Sequence, residues 1–243
     1  MSEVMTPLFW TGLLTIIGIN VILSGDNAVV IALAARSLPS HQQKRAIAWG
    51  AGAAVILRIG LALVAVELLH VPALKLLGGV LLLWIAVQLL VPESEDNLSV
   101  DASEHLGAAI KTIVIADLVM STDNVVAVAA AAKGSMLLIT LGLLISIPLV
   151  IFGAAMLMKL MEKWPVIVTM GAAVLGWTAV ELALSDRLVA SWLHAGPTVL
   201  QEIAPAIGAA FVVVVGKWLA ARQSLPLPAE LVAERAPELA GDL

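Results

Sequence analysis

The chain has 243 residues, of which 61% are hydrophobic and 13% are charged, and its mean hydropathy is +1.04. Soluble domains average about 45–50% apolar and about 25% charged residues, so this composition excludes an ordinary soluble protein. The formal net charge of −5 indicates little by itself, whereas the absence of cysteine excludes disulfides and thiolate metal sites.

Apolar runs of about 20 residues follow one another along the chain, and each is long enough to cross a bilayer as a helix. We therefore expect an all-α membrane protein with seven transmembrane helices. The predicted bounds are 8–34, 45–69, 73–91, 107–132, 136–160, 165–184 and 199–221. The runs do not alternate in segments of about 10 residues, which excludes a β-barrel. The first run has no preceding Lys or Arg, so a cleaved signal peptide is not expected.

The distribution of Lys and Arg predicts the orientation in the membrane. With seven spans, one side of the membrane collects nine of these residues and the opposite side three. The nine are Arg36, Lys44, Arg45, Lys111, Lys159, Lys163, Lys217, Arg222 and Arg235, and the three are Lys75, Lys133 and Arg187. Since cytoplasmic loops are enriched in Lys and Arg, we expect the N-terminus outside and the C-terminus in the cytoplasm of a cell with this protein in its inner (cytoplasmic) membrane. The acidic linker 93–106 and the tail 223–243 would then be cytoplasmic.

A polar motif near the N-terminus occurs a second time. The segment GINVILSGDNAVVIALAAR at 18–36 aligns with IADLVMSTDNVVAVAAAAK at 115–133, at a constant offset of 97 residues. At an offset of 93, the aligned pairs are Gly78 with Gly171, Trp84 with Trp177 and Gln88 with Glu181. The chain thus divides into two related three-helix units, 8–92 and 107–187, and a seventh helix at 198–222. Because three is odd, the second unit starts on the opposite face of the membrane, which gives inverted repeats of the kind found in transporters.

Each motif carries three polar side chains at i, i+4 and i+7, the spacing of one helix face. They are Asn20, Ser24 and Asn27 in the first span, and Asp117, Ser121 and Asn124 in the fourth. Asp26 and Asp123 fall off this stripe by one residue, about 100° on an ideal helix. Either a neighbouring helix receives the two carboxylates, or the helices open locally at Ser24–Gly25 and Ser121–Thr122. We favour local opening, since unwound backbone can offer carbonyls to an ion.

Three acids, Asp26, Asp117 and Asp123, lie in the middle of spans, where a charge costs at least about 2.5–3.5 kcal/mol to insert. With amide and hydroxyl oxygens beside them, they form a donor set that suits Mn²⁺, Mg²⁺ or Ca²⁺. The thioether of Met120 would favour Mn²⁺, unless Met120 only fills space in the core. Zn²⁺ and Cu⁺ are poorly served, because no His lies mid-span and the chain has no Cys.

Arg58 is the only cation in the middle of a predicted span, and it is the obvious charge partner for one of the aspartates. One such pair would leave two carboxylates for a divalent ion, although all three acids could instead be structural. Glu67, Glu181 and Glu202 lie nearer span ends, which is typical of interfacial acids. Glu181, aligned with Gln88, could also pass protons.

The segments SGDNAVVIALAARSLP, IADLVMSTDN, LGLLISIPLVIFG and GAAVLGWTAVE resemble the TerC family of integral membrane proteins, and within it the compact YjbE-type group. The family is similar in plan to cation exporters of the LysE-type superfamily. It is associated with manganese efflux, with tellurium-resistance operons and with supplying metal to secreted enzymes. The resemblance implies a metal site formed by Asp26, Asn27, Asp117, Asp123 and Asn124, and Asn20, Ser24, Ser121 and Met120 could supplement it. Since Asn20 is aligned with Asp117, such a site is asymmetric.

We expect a secondary transporter that exports a divalent cation, and the resemblance indicates Mn²⁺. Exchange for protons is expected because protonation would relieve the repulsion between emptied carboxylates, with Asp117 as the proton-responsive acid. The alternatives are export of another cation such as Ca²⁺, or a non-transporting membrane partner of metal-loading, secretion or tellurium-resistance machinery. Without catalytic, phosphate-binding or basic motifs, no enzymatic activity, prosthetic group or nucleic-acid partner is expected. The lipid bilayer and the metal ion are the expected partners. The sequence leaves open whether the protein forms a homodimer.

Overall fold

The computed structural model describes residues 6–68, 71–91, 102–132, 135–193 and 198–223. Within these ranges the side chains of residues 63, 65–68, 102–104, 123, 191–193 and 198–200 are not described. The predicted linker up to residue 101, the tail from residue 224, and the side chains of Glu67, Asp123, Lys133 and Arg235 therefore lie outside the described part of the chain.

The described residues form helices and contain no strand, so the expected all-α fold is confirmed. The helices are α1 (Pro7–Leu23), α2 (Gly25–Ala35), α3 (Ser40–Leu68), α4 (Leu74–Gln88), α5 (Ala102–Ala131), α6 (Met136–Lys163), α7 (Val166–Leu184), α8 (Arg187–Leu193) and α9 (Thr198–Gln223). α5 begins at Ala102 instead of 107, so the end of the predicted linker is helical. α8 lies in a connection where no helix is predicted.

Five helices, α3, α5, α6, α7 and α9, are long and apolar enough to cross a membrane. α1 and α2 pass the same test as a pair that bends by 51°, which gives up to six spans. α4, the predicted third span, has 15 residues and is a shorter apolar helix. The chain is thus an integral multi-pass membrane protein, and the count of seven spans stays a prediction.

Helix packing follows a pattern that is unchanged when the two predicted units are exchanged. α3 packs on α5, α6 packs on both α1 and α2, and α4 packs on α7, which α9 covers. The broken span α1–α2 corresponds to α5 in the second unit, α3 corresponds to α6, and α4 corresponds to α7. The contact of α3 with α5 therefore has its counterpart in the contact of α6 with α1 and α2, and the α4–α7 contact is its own counterpart. Two related units require such a pattern, although the division of the chain at 92 and 107 stays a prediction.

Glycines allow the helices around α7 to approach closely. A Cβ atom at Gly79 would lie 2.5 Å from the carbonyl oxygen of Ala179, and one at Gly176 would lie 2.6 Å from that of Gly208. Small residues at helix contacts allow the backbones of membrane helices to approach closely. The close contacts at Gly79 and Gly176 therefore depend on the absence of a side chain.

Candidate functional site

A guanidinium group is buried in the middle of the helix bundle. Arg58 of α3 is 3% exposed, and its Nη2 forms an ion pair with Asp117 of α5. Its Nη1 donates to Asn20 Oδ1 at 2.7 Å and to Ser24 Oγ at 3.1 Å. Its Nε donates to Ser121 Oγ at 2.9 Å, and that hydroxyl donates to the second oxygen of Asp117 at 3.0 Å. Both oxygens of this carboxylate are therefore engaged.

The acceptors around Arg58 are the i and i+4 positions of both polar stripes. Asn20 and Ser24 belong to the first motif, and Asp117 and Ser121 are their aligned counterparts in the second. A buried charge without a partner is strongly destabilising, so this network explains how the bundle accommodates Asp117. Of the aspartates whose side chains are described, Asp117 is the one that Arg58 neutralises.

The first motif lies at the break between α1 and α2. In a continuous helix, the carbonyl group of Leu23 would accept a hydrogen bond from the N–H of Asn27, four residues on. In this structure the Asn27 N–H donates to Oδ1 of Asp26 at 2.8 Å. The Leu23 carbonyl accepts from Nδ2 of Asn124 at 3.1 Å. The aspartate of one motif and the asparagine of the other thus satisfy two backbone groups that a continuous helix would pair with each other.

The predicted local opening occurs in one motif only. The first span breaks at Ser24, directly before Gly25, as predicted. α5 runs without interruption from Ala102 to Ala131, so the predicted opening at Ser121–Thr122 is wrong for this structure. Glycine inside a helix costs about 1 kcal/mol relative to alanine and threonine costs less, which favours a break in the first motif.

A cavity of about 200 Å³ lies beside the break. Its lining residues are Asp26, Met120, Asn124, Thr178, Glu181, Leu182 and Ser185. Two carboxylates, an amide, hydroxyls and one thioether are thus available, and no Lys or Arg is among these described lining residues. Carboxylate and amide oxygens are the ligands of hard divalent cations, and a thioether suits softer ones. The chemistry of this lining is therefore of the kind that divalent cations prefer.

A second, smaller cavity of about 20 Å³ adjoins the Arg58 network. The polar residues that line it are Asn20, Ser24, Asn27, Arg58, Asp117 and Ser146. Asn27 is 2% exposed, and neither atom of its amide has a hydrogen-bond partner among the described residues. Such a volume has room for about one water molecule.

The predicted ligands are divided between the two cavities. Asp26, Asn124 and Met120 line the larger one. Asn20, Ser24, Asn27 and Asp117 line the smaller one, and Ser121 belongs to the adjoining network. No three His, Cys, Asp or Glu side chains among those described come together. A site that joins Asp26, Asp117 and Asp123 therefore stays a prediction, since the Asp123 side chain lies outside the described residues.

Ser146 and Thr178 line the two cavities and are absent from the predicted set. Ser146 accepts from Nδ2 of Asn20, and its hydroxyl donates to the carbonyl of Leu143 at 2.8 Å. A hydroxyl two residues before Pro148 within a span is a signal that could have identified it. Thr178 precedes Glu181 by three residues, and this spacing places both on one helix face.

Asp186 is a buried carboxylate in the connection between α7 and α8, outside the spans. It is 2% exposed and accepts from the N–H groups of Lys75 at 3.1 Å and Leu76 at 3.2 Å, at the start of α4. It also accepts from the N–H of Leu188 at 3.0 Å. Burial raises the pKa of this carboxyl, but the backbone donors outweigh burial and bring the pKa below its usual value. Asp186 thus ties α4 to the end of α7 as a carboxylate.

Comparison with known proteins identifies the family to which this chain belongs. The model of the integral membrane protein TerC family matches residues 5–224, which include every helix and both motifs. The chain belongs to the TerC family. The sequence resemblance is thus confirmed, and the protein is a member of a transporter-like family of integral membrane proteins.

The chain is also similar to several bacterial membrane proteins. YjbE of Bacillus subtilis (strain 168) is 42% identical over 201 residues, which cover 83% of this chain and 91% of YjbE. YkoY of the same organism is 28% identical over 191 residues, or 71% of this chain and 59% of YkoY. The UPF0053 inner membrane protein YoaE of Escherichia coli (strain K12) is 31% identical over 146 residues, or 52% of this chain and 28% of YoaE. No solved structure matches the chain.

Proposed function

We propose that this TerC-family protein is a secondary transporter that exports divalent metal cations, with Mn²⁺ as its substrate. The observation that carries the proposal is the cavity at the broken span, where Asp26 and Glu181 lie with amide, hydroxyl and thioether donors. Acids within a membrane protein are costly unless their charge is balanced, and such residues mark ion pathways. One divalent cation would balance both carboxylates.

The lining of the cavity supports Mn²⁺ among the divalent cations. Ca²⁺ and Mg²⁺ take shells made of oxygen alone, whereas Mn²⁺ binds more strongly to nitrogen and sulfur donors than they do. Met120 belongs to the lining, and its thioether is a softer donor than the oxygens that Ca²⁺ and Mg²⁺ take. The family resemblance supports the same metal.

The charge distribution supports a direction for transport. Enrichment of Lys and Arg on one side favours an outside N-terminus and a cytoplasmic C-terminus in the inner membrane. In that orientation the cavity lining extends from Asp26 toward Ser185, at the outer end of α7. The ion would therefore leave outward from this state of the protein.

Proton exchange is the proposed driving reaction. After the ion leaves, protonation of Asp26 would replace the lost positive charge, so that protons move inward as the metal moves outward. The sequence favours Asp117 for this step. Because Asp117 is ion-paired with Arg58, we assign the step to Asp26 instead.

Two neutral variants test the proposed cavity. Asp26→Asn and Glu181→Gln each remove one charge with little change in size, and each should lower Mn²⁺ efflux from proteoliposomes by at least about tenfold, the effect of about 1.4 kcal/mol. Glu202→Gln is the matched control, because Glu202 is an exposed acid of α9 that does not line the cavity. Equal efflux by all three variants and the wild type would contradict the site. If the wild type moved no divalent cation, a non-transporting membrane partner would be supported instead.

A further inference from the structure

The two motifs are aligned in sequence, but their asparagines have different environments. Nδ2 of Asn124 donates to the carbonyl of Leu23 at the break. At the offset of 97 residues, Asn124 is aligned with Asn27 and Leu23 with Met120. The equivalent bond in the other direction would therefore run from Asn27 to the carbonyl of Met120.

That equivalent bond would satisfy the carbonyl group that an opening of α5 releases. Met120 lies inside the uninterrupted helix α5, where the carbonyl of each residue accepts from the N–H four residues on. The amide of Asn27 is buried and has no partner among the described residues. The amide lines the cavity of about 20 Å³, which has room for about one water molecule in the present state. Asn27 thus has no described protein partner to give up when it donates to another helix in a second conformation.

We propose that the break alternates between the two motifs, with Asn27 and Asn124 as a matched pair of positioning residues. In the second state α1 and α2 form one straight helix and α5 opens at Ser121–Thr122. Asn27 then donates to the carbonyl of Met120, as Asn124 now donates to that of Leu23. The inference rests on the proposed transport function, since inverted repeats that exchange conformations present one site to either side of a membrane.

The exchange also changes the state of Asp26. In this structure its Oδ1 accepts from the N–H of Asn27, which the break has released. When the first span straightens, that N–H returns to the carbonyl of Leu23 and Asp26 loses its backbone donor. The aspartate beside the ion cavity therefore changes its partner in the same step that moves the break.

Arg58 can serve as the pivot of this exchange. It binds one i and one i+4 position of each stripe, namely Asn20, Ser24, Asp117 and Ser121. Asn20 is aligned with Asp117, and Ser24 with Ser121, so the same four acceptors surround Arg58 when the two motifs exchange conformations. The buried charge thus keeps partners in both states.

Amide hydrogen exchange, followed by mass spectrometry on the purified protein without metal, tests the alternation. The measured quantity is the exchange rate of amides 24–28 divided by that of amides 121–125. Asn124→Leu removes the bond that stabilises the present break, and should lower the ratio about three- to tenfold, the effect of one hydrogen bond. Asn27→Leu removes only the bond of the second state and should not lower the ratio. Equal changes in one direction for both variants would overturn the proposal.

Gly25→Ala keeps the test decisive if an asparagine variant fails to fold. A Cβ atom at Gly25 meets nothing within 4 Å, so alanine fits without a clash. Alanine favours the helical conformation, and should straighten the first span and lower the ratio as Asn124→Leu does. A ratio that stays at the wild-type value in Gly25→Ala would also overturn the alternation.

Measurement of Mn²⁺ flux in parallel separates this inference from the proposed function. An exchange ratio lowered by Asn124→Leu but not by Asn27→Leu, without Mn²⁺ flux by the wild type, would contradict only the proposed substrate and transport. Mn²⁺ flux by the wild type, with parallel effects of the variants, would contradict only the alternation.

Discussion

At the scale of single residues, the interior depends on Arg58. Its guanidinium group donates hydrogen bonds to side chains of both motifs, and Asp117 carries the balancing negative charge. A buried polar network stabilises a fold only when each member is satisfied, because the low dielectric makes an unpaired group costly. The two motifs are therefore coupled through one side chain of α3.

Arg58→Met leaves the Asp117 carboxylate buried without its cation, and should lower the free energy of unfolding by about 3–5 kcal/mol. The double variant with Arg58→Met and Asp117→Asn removes both charges and should recover most of this loss. Denaturant unfolding in detergent micelles measures both values. A double variant as unstable as Arg58→Met alone would show that the ion pair is not the reason.

The sequence identifies the residues of this network better than their pairing. Arg58 is evident as a mid-span cation, and the stripes are evident from their helical spacing. Which aspartate receives Arg58 depends on the packing of α3 against α5, a contact between residues far apart in the chain. The same holds for Ser146, which meets Asn20 only because α6 packs on α1.

At the scale of helices, Asp186 links the start of α4 to the end of α7. Its pKa in the folded protein lies below the usual value, so its stabilising contribution is present above the unfolded pKa of about 3.9 and is lost as pH falls through the folded pKa. The melting temperature should therefore fall as the pH is lowered across this window. Asp186→Asn cannot ionise, and its melting temperature should fall less steeply over the same window. An identical pH profile for both proteins would contradict the link.

A matched pair of glycine variants tests the close contact between α4 and α7. Gly79→Ala places a Cβ atom 2.5 Å from the backbone oxygen of Ala179, and such overpacking should destabilise by about 1–3 kcal/mol. Gly52→Ala is the control within α3, because a Cβ atom there meets nothing within 4 Å. In thermal unfolding, the melting temperature should be lower than that of the wild type for Gly79→Ala and unchanged for Gly52→Ala. A similar loss in both would indicate a general effect of alanine.

The ends of the helices could be predicted from the sequence more closely than the position of the break, and the reason is physical. Long apolar runs determine the spans of α6, α7 and α9 to within three residues of their ends, because burial in lipid depends on composition and length. α3 begins five residues before its predicted start at 45. Equal polar motifs predict equal breaks, but the structure breaks only the span that contains Gly25. A break is a balance between local helix propensity and the bonds that satisfy the freed backbone, and those bonds come from another helix.

At the scale of the whole molecule, the packing of α3 on α5 and of α6 on α1 and α2 is consistent with two related units of inverted orientation. Since the chain has no cysteine, single cysteines can report the orientation directly. Ser37→Cys, after α2, should react with a membrane-impermeant maleimide from the cytoplasmic side. Ser185→Cys, after α7, should react from the outside. Labelling of both from one side would contradict the proposed orientation.

Mn²⁺ transport by the purified protein in liposomes with an imposed pH gradient tests the proposed function most directly. An opposing proton gradient should drive Mn²⁺ against its own gradient, and Asp26→Asn should abolish this movement. Mn²⁺ flux that is absent, or that is unaffected by both the proton gradient and the Asp26→Asn substitution, would contradict the proposed function.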